Sequence, residues 1–71
     1  MYYVYVIKRN NELYIGYTED LKRRIKQHKY KGDCHLIYYE AYLKKETSRS
    51  REIKLKYYGS AWRALKKRIT A

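Results

Sequence analysis

Five side chains in this 71-residue sequence are of the types that phosphodiester hydrolysis uses: Tyr5, Tyr14, Arg24, His28 and Glu52. A phenol or an imidazole can take a proton from water. A guanidinium can neutralise the charge that develops at phosphorus, and a single carboxylate can hold one divalent ion. The phenols draw attention first, because the chain contains eleven tyrosines and no phenylalanine. Burying a hydroxyl costs free energy that a plain aromatic ring avoids, so some of these oxygens should have a chemical use. Each group also has an ordinary role. Strand tyrosines pack half-buried, a helix arginine is solvated, and a glutamate among basic residues forms ion pairs one turn away. Only their placement in space separates the two.

The elements that must place them are legible from pattern. YYVYVIK (2–8) is β-branched and aromatic and predicts a strand, and LYIGY (13–17) predicts its return. Arg9-Asn10-Asn11-Glu12 supplies the turn, since asparagine tolerates the positive φ of a tight hairpin. Tyr3, Tyr5 and Ile7 then share one face and Tyr2, Val4 and Val6 the other, and Tyr14 lies opposite or diagonal to Tyr5. Gly16 predicts a close backbone approach or a bulge. A helix over 19–30 follows, with Thr18 as its N-cap and Glu19 and Asp20 in its first turn. Its Arg24 and His28, four residues apart, can be laid over the face of Tyr5. HLIYYEAY (35–42) predicts a third strand. A helix over 46–58 lines up Ser48, Glu52 and Leu55, and Gly59 and Ser60 predict a C-cap and a new N-cap. The last helix, 61–69, sets Ala61, Trp62, Leu65 and Ile69 at helical spacing. The expectation is an α+β fold in the order β-β-α-β-α-α, a small three-stranded and mainly antiparallel sheet flanked by helices. Residues 1–71 form one domain.

Eighteen lysines and arginines against seven acids give a net charge of +11 and a pI of about 9.8. So basic a domain needs anions at its surface, and nucleic-acid phosphate is the commonest source. The basic residues do not form one face opposite an apolar one, which argues against a membrane surface. No apolar stretch reaches spanning length, the N-terminus lacks a signal-peptide pattern, and the lone Cys34 excludes an internal disulfide. Together these predict a cytoplasmic protein.

The opening resembles the GIY-YIG nuclease family. Tyr3-Val4-Tyr5 stands where that family has GIY, with Tyr3 in place of the glycine, and Tyr14-Ile15-Gly16 reproduces YIG. GYTEDLKRRIKQH (16–28) is similar to the family's helix motif, and Arg24 falls eight positions after Gly16. SRSREIKLK is similar to the helix that carries the metal-binding glutamate, which maps onto Glu52. The likeness is closest to small stand-alone members related to the endonuclease domain of the DNA-repair protein UvrC. It implies an endonuclease with Tyr5 and Tyr14 as active-site tyrosines, one of which activates or positions water. It also implies Arg24 as the transition-state stabiliser, His28 as a proton-transfer or phosphate contact, and Glu52 holding one Mg²⁺ or Mn²⁺. Tyr17 stands where some relatives place a lysine. It joins Lys22, Arg23, Lys26 and Arg51 as expected nucleic-acid contacts, with His35 a candidate substitute for a loop contact. DNA is the implied substrate, with RNA open. Relatives commonly add a DNA-binding domain, so a targeting partner protein or a homodimer is expected here. The competing reading is a basic, non-catalytic nucleic-acid-binding module on the same fold.

Overall fold

A computed structural model describes residues 1–70. The elements are β1 (Tyr2–Arg9), β2 (Glu12–Thr18), α1 (Leu21–Tyr30), β3 (His35–Tyr42), α2 (Lys45–Tyr57) and α3 (Gly59–Ile69), so the order is β-β-α-β-α-α. The sheet order is β2-β1-β3 with both pairings antiparallel, which makes the N-terminal strand central and the other two its edges. Asn10 and Asn11 close the β1–β2 hairpin at φ 52° and 64°. Two successive left-handed residues make the type I′ turn, whose twist matches that of paired strands.

The two faces of β1 divide the molecule. On one face Val4 and Val6 are fully buried and join Leu55 of α2 and Leu65 of α3, with Leu13, Ile15, Tyr38, Tyr42, Ala61, Trp62 and Ile69 packed around them. Four fully buried aliphatic side chains contribute about 1.5–3 kcal/mol each, so the half-buried rings around them carry much of the remaining burial. On the other face lie Tyr3, Tyr5 and Ile7, and α1 crosses there. In the pairing of β1 with β3, Val6 faces Tyr38 while Ile7 faces Leu36, so Ile37 is the extra residue of a β-bulge.

The helix caps differ from the sequence expectation at two junctions. The N-cap of α1 is Asp20, whose side chain accepts from Arg23 N, and the helix begins at Leu21. Thr18 is buried on the end of β2, and its hydroxyl accepts from Asp20 N. Two capping residues in tandem thus serve one helix start, and no acid lies in the first helical turn. At the other junction Tyr58 is both the C-cap of α2 and the N-cap of α3. Its N–H donates to Lys54 O and its carbonyl accepts from Ala61 N. A single extended residue serves both helices, so Gly59 becomes the first residue of α3 and is not a left-handed cap.

Candidate active site

Tyr5 is paired across the sheet with Gly16, and the missing side chain there is what admits its ring. A Cβ placed on Gly16 would overlap Tyr5 Cζ and the hydroxyl oxygen. The ring therefore lies across the backbone of the edge strand β2, with 4% of the residue exposed. Its Oη stands 2.9 Å from His28 Nε2, with the two rings in an edge-on arrangement 5.8 Å apart. Burial pushes the Tyr5 phenol above its ordinary pKa. The charge of Arg24 works against that rise, and the charges of Glu52 and Cys34 add to it. The charges of Arg24 on α1 and Glu52 on α2 thus both bear on the Tyr5 phenol, in opposite directions.

His28 is held below its ordinary pKa, first by burial and then by the cations Arg9, Arg24 and Lys31. Arg9 is the residue that the sequence reading passed over as part of a turn. Its Nη2 lies 3.3 Å from His28 Nδ1 and donates to His28 O at 2.9 Å. The signal was present, because Arg9 continues the odd-numbered face of Tyr5 and Ile7 by one more step.

Tyr14 lies on the same face as Tyr5, diagonal to it, with Ile7 as its cross-strand partner. Its hydroxyl donates to Glu12 Oε2 at 2.8 Å, and that hydrogen bond is the main reason its pKa is raised. The two phenols share a face and have different partners. Glu12 was a second overlooked residue, legible as the same-face neighbour two positions from Tyr14.

Glu52 sits on α2 between the buried Ser48 and Leu55 turns, with 13% of its side chain exposed. Lys56 Nζ approaches one oxygen at 3.1 Å and Arg49 Nε the other at 3.8 Å, the ion pairs that a helix glutamate ordinarily makes. Among the described residues no group of three or more histidines, cysteines or acids could enclose a metal ion. A lone carboxylate with displaceable lysine and arginine partners suits an ion that keeps most of its waters and takes its other ligands from phosphate. The donor set therefore fits one Mg²⁺ or Mn²⁺.

The remaining candidates spread along the basic surface. Arg23 and Arg24 line a cleft of about 450 Å³ together with Tyr17, Thr18, Glu19, Asp20 and Gln27. Lys22 and Lys26 project from α1 into solvent. Tyr17 stacks on Tyr2, carries Arg49 over its ring at 5.3 Å, and buries its hydroxyl without a partner. Arg51 is turned inward: its Nε and Nη2 donate to Glu40 of β3 at 3.0 and 3.1 Å. His35, exposed at the start of β3, pairs with Lys8, away from the Tyr5–His28 pair. Glu40 also accepts from Tyr38 and Tyr42, a cluster that reasoning from sequence missed because it depends on how α2 docks.

The profile of the GIY-YIG catalytic domain matches residues 1–37, a little over half of the chain. That span holds Tyr5, Tyr14, Arg24 and His28 and stops short of Glu52. The UPF0213 protein CPE1444 of Clostridium perfringens (strain 13 / Type A) is 39% identical over 66 residues, covering 79% of this chain and 71% of that protein. No solved structure gives a significant match.

Proposed function

The chain belongs to the GIY-YIG family, whose nuclease character implies a nucleic-acid substrate, and from that premise we propose a metal-dependent endonuclease that hydrolyses DNA phosphodiester bonds. The observation that carries this reading is the buried Tyr5 phenol, which His28 contacts at 2.9 Å and on which the charges of Arg24 and Glu52 both bear. Arg24 and Glu52 do not pair with each other, and Glu52 pairs only with Lys56 and Arg49 of its own helix.

Glu52 would hold the ion once a phosphate draws Lys56 and Arg49 away. Mg²⁺ or Mn²⁺ there would supply charge neutralisation and polarisation at the scissile phosphate. Arg24 binds a non-bridging oxygen and meets the charge that grows on it as water adds. Tyr5 Oη, fixed over Gly16, orients the attacking water, and Tyr14 flanks the same face from the hairpin. Lys22, Arg23 and Lys26 neutralise phosphates on either side of the cut. With so much of the affinity resting on exposed cations, binding should weaken steeply with salt, and a targeting partner protein or a second copy would restore selectivity.

The test is nicking of supercoiled plasmid at low salt with Mg²⁺, Mn²⁺ or EDTA, beside Glu52→Ala and Arg24→Ala, with a single-stranded RNA in parallel. Metal-dependent nicking that both variants lose is the expected result. Salt-sensitive binding by the parent without any cleavage would leave only a binding module.

A further inference from the structure

Arg9 makes two contacts with His28 through one nitrogen, and their geometry decides which ring nitrogen carries the proton. A guanidinium only donates hydrogen bonds. One hydrogen of Nη2 goes to His28 O at 2.9 Å, and the other faces His28 Nδ1 at 3.3 Å. Nδ1 must therefore present its lone pair. In a neutral imidazole the proton is then on Nε2, the atom 2.9 Å from Tyr5 Oη. The Tyr5 oxygen accepts this proton's hydrogen bond, and the phenol's own hydrogen is directed away from the ring.

We propose that Arg9 is a positioning residue that locks His28 as the Nε2–H tautomer, so that His28 donates to Tyr5 Oη and leaves the Tyr5 proton directed away from the imidazole. The inference rests on the nuclease reading for its catalytic consequence and on geometry alone for the tautomer. It gives the pair distinct roles. His28 cannot accept the proton of the attacking water, because its Nδ1 lone pair is covered by Arg9 and its Nε2 is already protonated. Tyr5 Oη is the atom left to exchange a proton with water, and a hydrogen bond from His28 stabilises its anion. The groups facing His28 are Tyr5 and Arg9 from β1 and Arg24 and Lys31 from α1 and its C-cap, and all three cations oppose an imidazolium. The cost of the arrangement is visible in Arg9 Nε, which is buried with no hydrogen-bond partner. An arginine used only to pair with the adjacent Glu12 would not leave that nitrogen unmet.

Long-range proton–nitrogen correlation spectra of the full chain read the tautomer directly. The chain has two histidines, so a His28→Gln spectrum assigns the signals. At pH 7.5 the parent should show His28 protonated at Nε2 and bare at Nδ1. In Arg9→Met that pattern should give way to a mixture of tautomers, the acid limb of the cleavage profile should move to higher pH, and cleavage at neutral pH should fall at least about tenfold. Arg9→Lys keeps the charge but ends one atom shorter, so it does not set a nitrogen between His28 O and Nδ1 as Nη2 does. It should mix the tautomers while leaving the acid limb closer to that of the parent. A His28 protonated at Nδ1 or doubly protonated in the parent overturns the proposal even if neither variant folds. So does a tautomer unchanged in a folded Arg9→Met. If the parent shows the Nε2–H form and Arg9→Met loses it while no protein cleaves any substrate, the lock stands and the nuclease reading falls.

Discussion

Arg51 and Glu52 are neighbours on α2 and have opposite surroundings. Arg51 reaches across the packed face of the sheet to Glu40, whose carboxylate also accepts from Tyr38 and Tyr42. Burial alone would push Glu40 up, but the hydrogen bonds from Arg51, Tyr38 and Tyr42 outweigh it and hold the carboxyl below its ordinary value. Tyr42 is pushed up to about 12, chiefly by burial and by the same carboxylate. Glu52, one residue along, has only side chains on its own helix for partners, and both can swing into water. The saturated carboxylate fixes α2 on the sheet, and the loosely held one has only exchangeable partners on its own helix. Position along the helix decides which is which: residue 51 reaches β3, and residue 52 pairs only along its own helix.

The largest effect that could break this contrast is Glu52→Gln. Metal-dependent cleavage should drop by about 10³-fold, equivalent to about 4 kcal/mol of barrier. The urea midpoint should stay close to that of the parent, since the ion pairs lost run along one helix to exposed basic partners and glutamine keeps the size of the side chain. A large loss of stability would mean that Glu52, too, is structural. Gly16→Ala comes next. The new methyl meets the Tyr5 ring, and overpacking of this kind costs about 1–3 kcal/mol by chemical denaturation. It should also displace the phenol from His28 and lower cleavage with it, whereas a silent substitution would show that the ring has room to move.

Glu40→Gln should cost about 2 kcal/mol of stability, because Arg51 and two phenols lose an anionic acceptor. Its pH dependence sharpens the comparison. Glu40 is depressed in the fold, so its contribution is fully present above the ordinary value of 4.5 and is lost as pH falls through the folded value. His28 is depressed as a base, so the unfolded chain takes up a proton before the folded one does. Its contribution is full above 6.5 and declines as pH falls below that. Thermal melts should therefore show two acid-side losses, and Glu40→Gln should remove only the more acidic one. The smallest effect belongs to Tyr14→Phe. Its hydroxyl is exposed and bonds only to Glu12, so stability should change by less than about 0.5 kcal/mol.

The difference between the two carboxylates also explains how much could be read in advance. The alternation of β1 separated Tyr5 from Val4 and Val6 because strand parity is a local property, and the spacing of Ser48, Glu52 and Leu55 followed from helical period. The Arg24 and His28 face was legible for the same reason. The start of α1 was less so, since Thr18 and Asp20 both qualify as caps and the chain uses both. The Glu40–Arg51 pairing depends on the angle at which α2 meets the sheet, which no spacing within either element contains. Arg9 lay between these cases: its face could be counted, but its contact with His28 required knowing how far α1 runs beyond the hairpin.

The bulge at Ile37 has one more consequence. β3 is an outer strand whose far side carries unpaired amide and carbonyl groups, a template on which another extended chain could nucleate. Leu36, Ile37 and Tyr39 make that rim apolar enough to invite it. The extra residue breaks the regular row of donors and acceptors midway along the strand, so an approaching strand can match one half and not the other. A change that deletes Ile37 and straightens the strand would be expected to make the protein prone to fibrillar association.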